Sequence, residues 1–292
     1  FKGGLYASWE LDVWKKLRNA KKSSYLKYLS SIEGRNFLVT NLISEVANSY
    51  YKLLALDNQL ELVNQNIKLQ SDAYELVKIQ KQSARVTELA VKRFEAQLLG
   101  TRSLQYEIQQ EIIETENEIN FLLGRFPQPI ERDAGNFNEF VPKFIQAGVP
   151  AQLLENRPDV RQAELELEAA KLDVNVAKAN FYPSFGINAG LGFQAYNAAQ
   201  LINTPESFIY SMAGEIAGPL INRNAIKAMY YNANASQIQA VINYEQTLLN
   251  AYLEVVNQLA NIYNLQNSFD LKSQQVDALN ESIQISNTLF KS

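Results

Sequence analysis

The sequence predicts a mainly α-helical chain that carries a few β-strands suited to a membrane and is built as two internal repeats. Three observations support this fold class. Two very long segments lack helix breakers and repeat an apolar pattern, three short segments alternate apolar with polar residues, and one half of the chain aligns with the other. With 47% hydrophobic and 20% charged residues over 292 positions, the composition is that of a folded protein.

The composition also limits the chemistry that the chain can carry. It contains 0 cysteines and 0 histidines, so the commonest metal ligands and nucleophile–base pairs are absent, and we predict no enzyme activity, no metal site and no cofactor. A formal net charge of −4, with no lysine and arginine cluster among aromatic residues, argues against nucleic acid as a partner. No apolar run approaches the roughly 20 residues of a membrane helix, so any membrane span would consist of strands.

The first predicted element is a strand within residues 1–14. Apolar and polar residues alternate from Leu5 to Val13, with Leu5, Ala7, Trp9, Leu11 and Val13 on one face. Because successive side chains of a strand point to opposite faces, this pattern indicates a strand with one apolar and one polar face.

Residues 15–124 predict a long helical hairpin. Between Lys15 and Ser83 there is no proline and a single glycine, Gly34, so a single helix of about 69 residues is expected. A break at Ser83–Thr87 precedes a second helix, Glu88–Leu123. Apolar residues at heptad spacing predict that the two helices pack as an antiparallel coiled coil. The seam residues are Val39, Leu42, Val46, Leu53, Leu56, Leu60, Val63, Ile67, Tyr74 and Val77 with the polar Ser49 and Gln70, and then Phe94, Leu98, Ile108, Ile112, Ile119 and Leu122 with Thr101, Gln105 and Thr115.

Residues 125–183 predict a connecting segment that ends in a helix. Its first part is rich in proline and glycine and is expected to contain loops and short elements. The helix should begin at Arg157-Pro158-Asp159, because proline suits the first helical position and aspartate the positive end of the helix dipole. It is expected to end near Asn180.

Residues 184–220 predict a β-hairpin, and residues 221–292 a second long helix. The strands Ser184–Ala195 and Phe208–Gly218 each have one apolar face and one face of small or polar residues, and Pro219 should end the second strand. No proline or glycine follows, so the helix should extend through Lys227–Lys291.

The two halves of the chain align as repeats of one unit. Glu10 and Arg18 align with Glu215 and Arg223, and the helical seam from Val39 to Tyr74 aligns with the apolar positions Leu248, Val255, Ile262, Phe269, Val276 and Ile283. The unit is a strand hairpin, a long helix, a break and a returning helix. By this alignment we expect both flanks to be truncated, with an N-terminal helix and strand and a final helix lying in a longer protein.

The predicted strands are long enough to cross a bilayer, for which about 9–11 residues suffice. Lipid would then contact the apolar faces, and the alternate positions would line a water-filled lumen. These lumen-facing residues are Ser8, Glu10, Asp12, Asn188, Gln194 and Glu215. Few strands per chain cannot close a barrel, so closure would require several protomers. Two alternatives stay open: an ordinary half-buried sheet on a soluble domain, and acids that simply pair with nearby arginines such as Arg18 and Arg223.

Three stretches resemble signature segments of the TolC-like outer-membrane efflux family, in particular its lipoprotein-type channels that serve RND pumps. They are Trp9–Trp14 followed by Leu17-Arg18, Gly148-Val149-Pro150 leading to Leu153–Glu164, and Phe181–Ser184. The resemblance implies a homotrimer in which a twelve-stranded β-barrel in the outer membrane continues into a twelve-helix α-barrel across the periplasm. It further implies a lipid-modified cysteine upstream, a periplasmic adaptor protein and an inner-membrane RND transporter as partners.

The resemblance also implies an adaptor-binding site at the helical break. The residues that match the family's Gly-Leu-Val-Ser/Thr motif are Ala84, Arg85, Val86 and Thr87, which depart from it at the first two positions; Ala90 replaces a family aspartate. The expected function is a passive duct that exports small molecules. The alternatives are a duct for type I protein secretion, a soluble coiled-coil scaffold and, with only 2 methionines and no histidine, metal export.

Overall fold

A computed structural model describes residues 1–132, 156–218 and 223–291 of the chain. Four parts of the sequence predictions lie outside these residues: most of the connecting segment with Gly148-Val149-Pro150, the motif residues Leu153–Glu155, the strand terminator Pro219, and Ser292. The elements in order are β1 (Lys2–Leu11), α1 (Lys16–Gln82), α2 (Glu88–Leu122), α3 (Pro158–Ala179), β2 (Ser184–Gln194), a single 3-10 turn (Ala198–Gln200), β3 (Phe208–Ala217) and α4 (Arg223–Lys291).

The predicted fold class, mainly α-helical with a few strands, is confirmed. Helix α1 has 67 residues and α4 has 69, and Gly34 does not interrupt α1. The first strand differs at both ends from the predicted alternating stretch Leu5–Val13, because β1 begins at Lys2 and stops at Leu11. The division into five segments (1–14, 15–124, 125–183, 184–220 and 221–292) stays a prediction.

Contacts divide the chain into two compact units, one of Phe1–Phe37 with Ala147–Ser292 and one of Leu38–Gln146. In the second unit, α1 and α2 form the predicted hairpin around an apolar core. Leu53 is fully buried and Ile108 is 3% exposed. The buried cluster consists of Leu53, Leu56, Val63, Ile108, Ile112 and Ile119. All six were predicted seam positions, so the heptad pattern located this core.

Polar seam residues fix the register of this hairpin. The Thr101 hydroxyl donates to the Gln70 side-chain oxygen at 2.8 Å, and the Gln105 amide donates to Asn64 Oδ1 at 2.7 Å. As the residue number rises along α1 it falls along α2, so the helices are antiparallel, as predicted. This register places the end of α2 near Ser49, which explains why the predicted seam residues Val39 and Leu42 are 42% and 40% exposed.

An ion cluster at the base of the hairpin was not predicted. The Arg132 guanidinium donates to both carboxylate oxygens of Asp57 on α1, and a further nitrogen donates to Glu116 on α2. Hydrogen bonding to Asp57 and Glu116 outweighs partial burial and raises the pKa of Arg132 above its ordinary value. The segment after α2 is thereby bound to both helices.

In the first unit, α3 packs antiparallel to the start of α1 through small and polar residues. The Ser23 hydroxyl donates to Asp173 Oδ1 at 2.6 Å, and the Ser30 hydroxyl donates to Glu166 Oε1 at 3.0 Å. A Cβ atom on Gly34 would lie 3.0 Å from the Gln162 side-chain oxygen. Glycine at this position therefore leaves room for the Gln162 side chain of α3.

Helix α3 also packs against α4. Arg157 precedes α3 and binds Asp159 and Glu254, with nitrogen–oxygen distances of 2.8 and 2.7 Å. At the other end of α3, the Phe181 ring meets Tyr230 edge to face at 6.0 Å. Residues 256–286 of α4 are exposed, including the seam positions Ile262, Phe269, Val276 and Ile283 that align with α1.

The strands form one antiparallel sheet in the order β1-β2-β3. Leu5 pairs with Leu191, which pairs with Tyr210. The hairpin predicted for β2 and β3 is confirmed by this register. At the end of the sheet, the Trp14 ring stacks on Tyr182 with centroids 4.6 Å apart, and its indole nitrogen donates to the Pro183 carbonyl oxygen.

Candidate functional site

The predicted tip residues form a compact turn between α1 and α2. Ala84 has φ of 57°, in the left-handed region, and its amide donates to the Lys81 carbonyl oxygen at 2.8 Å. The Arg85 amide donates to the Gln80 carbonyl oxygen at 3.0 Å. These two bonds form a Schellman motif, which ends a helix and satisfies its last carbonyl groups. The chain therefore leaves α1 at Ala84.

Thr87 starts the returning helix. Its backbone is extended, with φ of −86° and ψ of 159°, and its hydroxyl accepts a hydrogen bond from the Ala90 amide at 3.4 Å. This is the geometry of an N-cap. Val86, between the two caps, is half-buried, whereas Ala84, Arg85 and Thr87 are exposed. The structure thus brings all four predicted residues together in one turn.

Ion pairs surround this turn. Lys81 at the end of α1 binds Glu88 at the start of α2, and this hydrogen bond lowers the pKa of the Glu88 carboxyl. Glu75–Lys78 and Lys92–Glu95 pair at 3.0 and 2.7 Å. The sequence prediction omitted the Lys81–Glu88 pair. The sequence signal for this pair is a lysine and a glutamate that lie on either side of the predicted break and close enough to meet across it.

The strand register sorts the sheet into two faces. The predicted apolar positions share one face, and most of them are exposed, Leu191 being 58% exposed. This face carries Leu5, Trp9, Leu11, Phe185, Ile187, Leu191, Phe208, Tyr210 and Ile216. The side chains of an exposed, largely apolar sheet face can contact lipid or another apolar surface.

Five of the six residues predicted to face the lumen share the opposite face: Ser8, Glu10, Asn188, Gln194 and Glu215. Glu10 and Glu215 flank Gly186 across the strands. Glu10 binds Lys16, and Glu215 accepts a hydrogen bond from the Asn188 amide at 3.2 Å. The Glu10 carboxylate is thus paired with a cation and the Glu215 carboxylate with a neutral amide.

The sixth residue, Asp12, lies beyond the end of β1, so the strand predicted through Val13 is wrong at this end. The Asp12 carboxylate accepts hydrogen bonds from the Leu17 and Arg18 amides at 3.0 and 2.9 Å and from the Arg18 side chain at 3.1 Å. It therefore caps the first turn of α1, whose free amides favour an anion. Strand alternation does not apply to it.

Among residues 1–132, 156–218 and 223–291, no helix is sufficiently long and apolar to cross a membrane.

Comparison with known proteins gives consistent matches over the whole chain. The family model described as outer membrane efflux protein matches residues 1–125 and 149–292. The cation efflux system protein CusC of Escherichia coli O6:H1 is 28% identical over 291 residues, which cover 100% of this chain and 63% of that protein. The pyoverdine export outer membrane protein OpmQ of Pseudomonas aeruginosa is 26% identical, covering 100% of this chain and 61% of that protein.

Solved structures agree with these matches. A crystal structure of CusC superposes with a TM-score of 0.90 at 27% identity, covering 99% of this chain and 67% of that chain. The open state of the Neisseria gonorrhoeae MtrE outer membrane channel gives a TM-score of 0.88 at 25% identity, covering 99% and 65%. The chain spans about 63% of the length of the CusC relative that it matches. From the family match over nearly all of its residues, we conclude that this chain belongs to the outer membrane efflux protein family.

Proposed function

We propose that the whole protein is the passive outer-membrane exit channel of a tripartite efflux pump and exports small molecules without chemistry of its own. The observation that carries this proposal is the sheet, whose strands of 10 and 11 residues have one exposed apolar face and one small or polar face. Strands of this length and alternation suit a bilayer. Relatives that include cation and pyoverdine exporters support the efflux role.

The proposal includes a homotrimer. It is supported by the sheet, because the three strands in the described part of the chain need further strands to leave no open edge in lipid. Lipid would contact the face of Leu191, and Glu215 would line the lumen.

Two further partners complete the proposal. A periplasmic adaptor binds Ala84–Thr87, and an inner-membrane RND transporter supplies the energy. The tip geometry supports the adaptor site, since these residues form an exposed turn held by caps on both sides. A type I secretion duct would have the same architecture and differs in its inner-membrane partner. A soluble coiled-coil scaffold would stay in solution without detergent.

The experiment targets the tip. Replacing both Arg85→Asp and Val86→Asp in the full-length protein should abolish solute export, because two carboxylates would have to be desolvated in the adaptor interface. The protein content of the outer membrane should be unchanged. The matched control, Arg102→Asp with Ser103→Asp, alters two exposed residues of α2 away from the tip and should leave export intact. Normal export by the tip variant would contradict the adaptor site.

A further inference from the structure

Arg85 is an exposed residue of the turn and directly follows the left-handed Ala84. Its backbone amide caps the end of α1, whereas its side chain is exposed to solvent. In the described part of the chain, the guanidinium groups of Arg85 and Arg93 have no carboxylate partner. The tip therefore carries free positive charge.

The acids near the tip cannot neutralise this charge, because each is already paired. Glu88 is held by Lys81, Glu75 by Lys78 and Glu95 by Lys92. The carboxylates in the last turns of α1 and the first turns of α2 are therefore all in ion pairs. The next acid along α1 is Asp72, ten residues before the helix end at Gln82, or about 15 Å along the axis.

The backbone groups at the turn add further positive charge. The first amides of α2 bear partial positive charge, and Glu88, the acidic residue of its first turn, is paired with Lys81. The last carbonyl groups of α1, which would attract a cation, are occupied by the amides of Ala84 and Arg85. The turn is thus positive in both its side chains and its free backbone groups.

We propose that the partner segment docking on Ala84–Thr87 presents acidic side chains to Arg85, an inference that rests on the proposed adaptor site. A guanidinium that loses its water on docking needs acceptors, and a carboxylate offers two oxygens that match its fork of donors. A neutral partner would leave the charge desolvated and unpaired, and a basic one would repel it. Acidic residues at the partner's tip are the chemistry that this surface selects.

The test uses the detergent-purified full-length protein and synthetic helical hairpins closed by a disulfide. Three hairpins differ only at the turn, which carries two glutamates, two glutamines or two lysines. At low salt the glutamate hairpin should bind about tenfold more tightly than the lysine hairpin, and about 0.5 M NaCl should remove most of the difference. Equal binding, or no binding of the glutamate hairpin, overturns the proposal.

Variants assign the preference to one residue. Arg85→Glu should reverse the order of the glutamate and lysine hairpins, and the matched change Arg102→Glu on the exposed side of α2 should leave the order as in the unmodified protein. An order that Arg85→Glu does not change overturns the inference. Membrane content and thermal unfolding of both variants report whether they fold.

A separate variant distinguishes this inference from the proposed function. Replacing Ala84–Thr87 with Gly-Ser-Gly-Ser removes the whole tip surface, and its readout is solute export in cells. Export that survives the replacement contradicts the adaptor site itself. Export that is lost, together with no preference for the glutamate hairpin, leaves the adaptor site standing and removes only the acidic partner.

Discussion

At the residue scale, Ala84 adopts a backbone conformation that glycine adopts more easily. Its φ of 57° brings Cβ close to the following carbonyl group, which costs an alanine about 1 kcal/mol. Ala84→Gly should therefore strengthen the turn, although glycine loses more entropy on folding. In this variant, hydrogen exchange measured by mass spectrometry should show the amides of positions 84 and 85 protected about fivefold more strongly than in the unmodified protein.

The matched control for this prediction is Ala96→Gly on α2. Ala96 is exposed in the interior of a regular helix, where glycine costs about 1 kcal/mol relative to alanine. The same substitution should thus weaken protection around position 96. Equal effects of the two substitutions would contradict a special role for the left-handed turn.

Two residues show what the sequence could and could not indicate at this scale. The break at Ser83–Thr87 was predictable from the loss of seam residues and from Thr87, a good N-cap. The left-handed turn at Ala84 was not, because alanine rarely adopts it. Asp12 was misassigned to the strand because an aspartate in a polar position of an alternating pattern looks the same as an aspartate that caps the next helix.

At the scale of elements, the hairpin of α1 and α2 depends on its buried seam. Leu53→Ala should lower the free energy of unfolding of this hairpin by about 3 kcal/mol, because Leu53 is 0% exposed and the substitution leaves a cavity. Leu62→Ala on the same helix is the control, since Leu62 is 61% exposed. Thermal unfolding in detergent should separate the two variants, and equal losses would contradict the assigned seam.

The contact between α3 and α4 should depend on pH. Arg157 binds Asp159 and Glu254. Burial alone would raise the pKa of the Asp159 carboxyl, but hydrogen bonds from Arg157 outweigh burial and the pKa is lowered. A lowered folded-state pKa contributes stability above the ordinary carboxyl pKa, and this stability is lost as pH falls through the lowered value.

Asp159→Asn therefore should lower the unfolding temperature at pH 7, and the difference from the unmodified protein should shrink as the pH falls below about 4. Thermal unfolding measured from pH 7 down to about pH 4 tests the direction of this change in unfolding temperature. Asp72→Asn, an exposed carboxylate on α1, should show a smaller difference at pH 7. If the difference in unfolding temperature between Asp159→Asn and the unmodified protein grew on acidification, the lowered pKa assigned to Asp159 would be contradicted.

The seam was readable from the sequence because heptad spacing reports which face of a helix is buried. The Arg132 cluster was not, because its partners Asp57 and Glu116 lie on two helices and Arg132 on the segment after them. Charged residues on long helices are common, so only the three-dimensional register selects these two acids. For Val39 and Leu42 the pattern was correct but incomplete, since α2 ends before it reaches them.

At the scale of the whole molecule, the internal repeat leaves the two long helices in different environments. Leu53 of α1 is buried and Leu60 is partly buried against α2, whereas the aligned positions Ile262 and Phe269 lie in an exposed stretch of α4. The same apolar pattern is thus covered in one repeat and open in the other. The returning helix that the repeat predicts for the full-length protein would bury this stretch by the same packing that buries the first seam.

The faces of the sheet test the membrane assignment directly. Leu191 and Asn188 lie three residues apart on opposite faces of β2. Lysine substitutions at these two positions therefore place the same charged side chain in two different environments. If the face of Leu191 contacts lipid, Leu191→Lys should cost roughly 2–4 kcal/mol at the bilayer midplane and reduce the amount of protein inserted. Asn188→Lys should be tolerated, because a lysine in a water-filled lumen stays hydrated and faces Glu215. Membrane fractionation of the full-length variants gives the readout; greater damage from Asn188→Lys would show that the faces are reversed or that the strands do not enter a membrane.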